Sequence, residues 1–318
     1  MARCFYCYQT LSESEAGAMG FHQSCSRKMF GKSIPPELPY HEGDFTKLGD
    51  SIINSHKSVP GVQPKLSVGI EKTRGAYEPE KLTIVGILGE YILKPQTNAY
   101  KNLPEIEDLT MHLAEVAGIK TVQHSLIPLK SGQLAYITKR VDRTKKGKLH
   151  MEDMCQLTER LTEHKYRGSY EQIAKVILKY AANAHFNVIN FYEQVIFSFL
   201  VGNNDMHLKN FSLIKDASGA YNLCPAYDLV ASELVLKDEE ELALNLNGKK
   251  RKLKKADFEL AMKTVGIEQK TMDNIFNNFY KSLPKWHSLV DLSFLPLPLK
   301  TKYHELIDLK AKQLELIP

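Results

Sequence analysis

Between Phe199 and Ile214 the chain reads FLVGNNDMHLKNFSLI, which sets Asn203, Asn204, Asp205, His207, Lys209 and Asn210 between two apolar runs. Four residues separate Asp205 from Asn210. A carboxylate can accept or orient the proton of an attacking hydroxyl, and an amide oxygen close by can hold Mg²⁺. Lys209, next to the amide, can lie against a transferring phosphoryl group and offset its charge. A polar loop or a helix C-cap would explain the same residues without chemistry, so the pattern needs partners elsewhere in the chain.

Three partners are legible. Asp228, in PAYDLVAS, follows FSLIKDASGAYNL, which reads as a hairpin, and can deliver a second metal-binding oxygen; a simple turn residue is the alternative. Protein-kinase catalytic loops use the same Asp-x-x-x-x-Asn spacing. Lys94 ends a strand in YILKPQ, where its ammonium could reach the phosphates of ATP or could merely be solvated. SVPGVQPKLSV, from Ser58 to Val68, offers Gly61 as a point where backbone N–H groups could approach phosphate.

A second constellation lies near the start. Cys4, Cys7, His22 and Cys25 read C-x2-C-x14-H-x2-C, two close pairs that can surround one tetrahedral Zn²⁺. Free thiols packed against the rest of the protein are the alternative. The chain has five cysteines, few for its 318 residues, which suits a reducing compartment. Cys155 and Cys224 sit in apolar contexts and read as buried thiols.

These groups need a scaffold of two kinds. Residues 1–40 form the cysteine-bearing head and end in SIPPELPY, whose prolines favour an extended connector. Residues 41–143 read as a β-rich lobe containing KLTIVGILGEYILKP and QLAYITKRV, with one helix, LPEIEDLTMHLAEVAGI. In that helix Pro104 suits the first turn, Gly118 the end, and Leu109, Leu113 and Val116 one face. Glu107 could pair with Lys94 or only complement the helix dipole. Residues 144–318 read as helical: YEQIAKVILKYAA and NVINFYEQVIFSFLVG are buried helices, with further ones near 255–282 and 299–316. The fold class is α+β, with a β-rich front lobe and a helical rear lobe. Hydrophobic residues are 43%, charged residues 25% and net charge +5, ordinary for a globular chain. The basic run NGKKRKLKK, Asn247–Lys255, could meet phosphates or serve as a solvated face. No apolar run reaches the roughly 20 residues of a membrane span. Neither a spanning segment nor a signal peptide is legible at MARCFYCYQTL, so a cytoplasmic location is expected.

SVPGVQPK, YILKP, LPEIEDLTMHLAEVAGI, ITKRVDR, MEDMCQL, FLVGNNDMHLKNFSLI and PAYDLVAS, in this order, resemble the HipA-type serine/threonine kinases, toxins of bacterial toxin–antitoxin systems. The resemblance implies a two-lobed, protein-kinase-like fold and ATP and Mg²⁺ as cofactors. It implies that Asp205 is the catalytic base, with Lys209 beside it, and that Asn210 and Asp228 bind Mg²⁺. Lys94 would contact ATP phosphates under a loop of Pro60, Gly61, Val62, Gln63 and Lys65. The backbone around Lys139–Val141 would hold adenine, His207 would line the nucleotide site, and Ser58 would be autophosphorylated, shutting the kinase off. The hinge reads KRVDR where relatives usually carry an acidic residue and a phenylalanine. The metal aspartate lies in Tyr-Asp-Leu rather than Asp-Phe-Gly, so no activation switch carries over.

The resemblance also implies partners: a protein substrate, in relatives an aminoacyl-tRNA synthetase, and a DNA-binding antitoxin. The chain is similar in outline to the short HipT-type toxins of three-gene systems, so a small companion protein is expected in place of an N-terminal subdomain. Two other readings remain. One is a kinase-fold binding module, locked by phosphate on Ser58 or acting without turnover. The other is a zinc-dependent nucleic-acid binder, which mild charge and the lack of interleaved aromatic and basic residues disfavour; no direct nucleic-acid or membrane contact is expected.

Overall fold

In the computed structural model the described residues are 2–16, 20–45, 65–71, 80–85, 89–236 and 240–318. They divide into two compact units. The first comprises residues 1–108, 122–140 and 292–294; the second comprises 109–121, 141–291 and 295–318.

The first unit is built on a five-stranded antiparallel sheet of β1 (Leu66–Glu71), β2 (Lys81–Ile84), β3 (Tyr91–Lys94), β4 (His124–Pro128) and β5 (Leu134–Lys139), in the order β2-β1-β3-β5-β4. KLTI and YILK, close in sequence, therefore do not pair with each other; β1 lies between them. Leu66 faces Leu93, Val68 faces Tyr91 and Leu93 faces Ile137, so alternate apolar residues stack across three strands. Onto them pack Cys4, Leu11, Phe21, Met29, Phe30 and Leu38 of the head, within one hydrophobic core. The head's helix, α1 (Gln23–Phe30), ends at Gly31 in the left-handed region at φ 78°. The proline-rich connector is extended, as its composition requires: Glu37 bridges to Lys81 at the sheet edge. Residues 292–294 return to this unit, with Phe294 5.2 Å from the rings of both Phe5 and Tyr8 and the Leu292 carbonyl accepting from Arg3 at 2.6 Å.

The helix expected after Lys94 is α2 (Leu103–Val116), with Pro104 in its first turn. Leu109 and Leu113 are fully buried and Val116 partly so. Gly118 closes the helix at φ 85°, and the Ile119 N–H reaches back to the Ala114 carbonyl at 3.0 Å.

The second unit carries a three-stranded sheet of β6 (Met151–Asp153), β7 (Ser212–Lys215) and β8 (Tyr221–Leu223), ordered β8-β7-β6. Its helices are the short α3 (Met154–Leu157), then α4 (Tyr170–Tyr180), α5 (Ala184–Leu200), α6 (Lys255–Lys263), α7 (Gln269–Leu292) and α8 (Leu297–Gln313). The stretch expected to be one helix over 255–282 is two. Gly266 stands at φ 80° and the Ile267 N–H caps back onto the Met262 carbonyl at 3.2 Å, which ends α6; α7 then runs on through Pro284 to Leu292. From Gln194 to Leu200 α5 is buried at every position, the mark of a central core helix. Phe197 meets Trp286 edge-on at 5.5 Å, and the Trp286 indole N–H donates to the Leu113 carbonyl at 2.9 Å. Among the described residues no helix is long and apolar enough to cross a membrane.

Candidate functional site

In the second unit α5 ends and the chain must turn at once. Gly202 does this at φ 67°, in a space where a Cβ would lie 2.8 Å from Leu306 Cδ2 and 3.0 Å from Glu233 Cβ. The polar run that follows is tied down by its own backbone. Asn203, fully buried, accepts from the Asp205 N–H at 3.3 Å through Oδ1. The His207 N–H donates to the Asp205 carbonyl at 2.8 Å, and the Asn204 N–H to Ser232 Oγ at 2.9 Å. Asn210 donates its amide nitrogen to the Asp205 carbonyl at 3.0 Å, which fixes the amide plane and turns the oxygen the other way. Asp205 itself is exposed, while Asn210 and His207 are buried.

The carboxylate of Asp205 accepts from the Tyr166 hydroxyl at 2.6 Å, and the Tyr166 ring meets His207 edge-on at 5.0 Å. Tyr166 lies 39 positions upstream, in an irregular stretch with no sequence signal, and sequence reasoning misses it. Burial pushes the His207 imidazole down to about 4, against the upward pull of Asp205 and Asp228, so it is neutral at physiological pH.

Lys209 pairs with Asp153 at 2.7 Å. That contact gives MEDMCQ its structural role. Asp153 caps α3 by accepting from the Gln156 N–H at 3.0 Å, and Gln156 Oε1 accepts in return from the Asp153 N–H at 2.9 Å. The other oxygen of Asp153 is thereby aimed at Lys209. The Tyr227 hydroxyl donates to the Lys209 carbonyl at 3.1 Å and lies 2.5 Å from Ser212 Oγ, which holds the start of PAYDL against the loop. The expected hairpin is present as β7 and β8, with Asp216 gathering the turn through the N–H groups of Ser218 and Ala220. Asp228 follows at φ 60°, a left-handed conformation uncommon for a residue other than glycine and a mark of functional sites. Asn210 and Asp228 thus come from one structured unit, as oxygen donors of the kind a hard divalent cation takes. Cys155 and Cys224 are buried free thiols, and burial pushes Cys224 up to about 12.

In the first unit Lys94, at the end of β3, is 4% exposed and Glu107 on α2 is 0% exposed. Their Nζ–Oε1 distance is 2.5 Å, so Glu107 is an ion-pair partner and more than a complement to the helix dipole. Tyr136, opposite Lys94 in the β3–β5 register, has its ring centre 5.4 Å from the ammonium. Lys139 ends β5, its N–H donating to the Gln123 carbonyl at 2.8 Å; Lys139 and Val141 are both half-buried. Lys65 is exposed just before β1. Ser58, Pro60, Gly61, Val62 and Gln63 lie outside the described residues. The sulfurs of Cys4, Cys7 and Cys25 and a ring nitrogen of His22 come together within 4.8 Å of one another.

Comparison with known proteins bears on the family and the fold. The model of the HipA-like C-terminal domain matches residues 57–287. A protein of Sinorhizobium fredii named "Putative kinase Y4dM" is 30% identical over 91% of this chain and 74% of its own length. One of the same description from Haemophilus influenzae is 30% identical over 72% of this chain and 68% of its own. Among solved structures, HipA of the Shewanella oneidensis toxin–antitoxin system, in complex with HipB and operator DNA, superposes with a TM-score of 0.68 at 20% identity, covering 87% of this chain and 72% of that one. The Helicobacter pylori proinflammatory kinase CtkA gives 0.52 at 16% identity, covering 70% and 87%. The fold is therefore of the α+β, kinase-like HipA class.

Proposed function

The chain belongs to the HipA-like C-terminal domain family, and from that footing we propose that it is a Mg²⁺/ATP-dependent serine/threonine protein kinase acting as the toxin of a toxin–antitoxin system. The observation that carries the reading is the loop of the second unit, where Asp205 is presented at the surface while Asn210 is locked onto the Asp205 carbonyl. Asp205 accepts the proton of the attacking hydroxyl. Asn210 and Asp228 are the oxygen donors that would hold Mg²⁺, which when bound offsets charge on the ATP phosphates. Lys209, oriented by Asp153, lies beside the transferred group. Lys94, oriented by Glu107, contacts the nucleotide phosphates, with adenine at the Lys139–Val141 backbone and neutral His207 lining the site.

Ser58 is the autophosphorylated residue of this reading and an aminoacyl-tRNA synthetase the substrate. A DNA-binding antitoxin, as HipB is for the Shewanella protein, and a small companion protein are the partners. Incubation with labelled ATP and Mg²⁺ tests it: wild type labels Ser58 and Asp205→Asn does not. Equal labelling of both would remove Asp205 from its role. One observation favours a second reading. The Tyr166 phenol sits on Asp205 where a substrate hydroxyl would sit, as expected of a self-blocked binding module.

A further inference from the structure

The head of the first unit holds groups that phosphotransfer does not use. Three thiols and an imidazole crowd within 4.8 Å of one another there. Two structural details point to a ligand there. The first is the histidine. Its Nε2 lies 3.2 Å from the Thr10 carbonyl, the arrangement in which Nε2–H donates and Nδ1 keeps its lone pair. That Nδ1 faces the sulfurs of Cys7 at 3.4 Å and Cys25 at 3.8 Å. A second partner that fixes the tautomer is the usual companion of a metal-bound histidine. The second is the spacing. Zn–S and Zn–N bonds of about 2.3 and 2.0 Å separate neighbouring donors on a tetrahedron by about 3.5 Å, and the two N···S separations bracket that value. A disulfide would take two of the three sulfurs and leave the third and the imidazole without a role; all three cysteines are free. The backbone is arranged to match. Cys4 and Cys7 flank a tight turn, the His22 N–H donates to Cys4 Sγ at 3.4 Å, and Cys25 lies in the first turn of α1, where the helix dipole favours thiolate.

The turn ends in Tyr8, at φ 62° and 1% exposed. A tyrosine in that region is strained, and here the strained residue makes a long-range contact: its hydroxyl donates to Asp108 Oδ2 at 2.7 Å, 100 positions away. Asp108 Oδ1 lies 2.7 Å from His124 Nδ1. The next residue back along α2 is Glu107, the partner of Lys94. The head also grips the strand that carries Lys94: the Tyr91 hydroxyl donates to the Met29 carbonyl at 3.1 Å, and Phe30 packs on the Tyr91 ring at 5.9 Å.

We propose that Cys4, Cys7, His22 and Cys25 bind one zinc ion, and that the zinc-set head, through Tyr8 and Asp108, positions Glu107 on Lys94. The second half rests on the nucleotide role of Lys94; the first does not. Tyr8 is a positioning residue, since it touches neither nucleotide nor substrate.

The full-length protein, purified without chelator, should carry about one zinc per chain by elemental analysis. Replacement by Co²⁺ should give the visible absorption of a tetrahedral site with three sulfurs and one nitrogen. Cys7→Ser should lose the metal, and Cys25→His, which keeps a ligand, should retain it. Zinc well below one per chain in wild type, after refolding with added Zn²⁺ as well, overturns the site whether or not Cys7→Ser folds. Tyr8→Phe should keep its zinc yet bind mant-ATP about tenfold more weakly at a temperature well below its melting transition. Asp108→Asn, which keeps an acceptor for Tyr8, should lose less. Zinc-loaded Tyr8→Phe with unchanged mant-ATP affinity overturns the positioning role. Lys94→Ala with unchanged affinity would instead overturn the kinase reading and leave the zinc count intact.

Discussion

Removing Glu107 should be among the costliest single changes in the first unit. The carboxylate is 0% exposed and lies 2.5 Å from an ammonium that is itself 4% exposed. Glu107→Leu replaces it with an apolar group of similar size, so little volume is lost and the cost comes from the lysine left behind. A buried charge deprived of an ion-pair partner costs about 3–5 kcal/mol. An independent bound agrees. The lysine can escape its charge by giving up its proton, which from an ordinary value near 10.4 costs about 4.6 kcal/mol at pH 7. Tyr136, 5.4 Å away, offsets part of this, about 1 kcal/mol. The expected loss is therefore about 3–4 kcal/mol, read as the shift in urea midpoint at constant slope. Glu107→Leu combined with Lys94→Met should recover most of it, because an apolar pair of similar volume replaces the ion pair. The single variant should also gain stability between pH 7 and 10, since its unfolded state binds the lysine proton more tightly than its native state. Equal destabilisation by the single and double variants, with no rise toward pH 10, would refute the argument.

Other consequences can be checked as directly. His207 is pushed from an ordinary 6.5 to about 4, so the unfolded state takes up a proton in that window that the native state refuses. The stabilisation is present above about pH 6.5 and lost as pH falls toward 4, a total of about 3 kcal/mol. Denaturation curves of wild type and His207→Gln should differ in slope there, and parallel pH profiles would sink the assignment. Gly202→Ala puts a Cβ 2.8 Å from Leu306 at φ 67°, costing about 1–2 kcal/mol and lowering the Tm by roughly 2–8 °C; calorimetry showing an unchanged Tm would contradict the geometry. Tyr166→Phe uncovers Asp205, so phosphate transfer from labelled ATP should rise a fewfold under the kinase reading. A fall instead would make the phenol part of the working site.

The residues legible in the sequence are those whose spacing is local. Asp205 and Asn210 lie in one loop, the hairpin before Asp228 is marked by its own turn residues, and the pairs Cys4–Cys7 and His22–Cys25 each span three positions. Helices announced by apolar residues at helical spacing, such as α4 and α5, are equally plain. What stays hidden depends on tertiary pairing. From the sequence Glu107 serves as well for a dipole complement as for an ion pair, and the sheet decides, since it sets β3 beside β5 and Lys94 ends buried against Glu107. Tyr166 and Tyr8 reach carboxylates 39 and 100 positions away, and no local pattern carries that information. The break at Gly266 is a local signal that the helical periodicity on either side of it outweighs.

The return of residues 292–294 to the first unit has a consequence for synthesis. Phe294 packs on Phe5 and Tyr8, and Leu292 accepts from Arg3, so the N-terminal unit draws its last pieces from near the far end of the chain. At ribosomal speeds of about 5–20 residues per second, on the order of ten to thirty seconds pass between translation of Arg140 and of Phe294. Throughout that interval the nascent chain carries an unfinished first unit, and Tyr8 waits for one of the rings that packs against it.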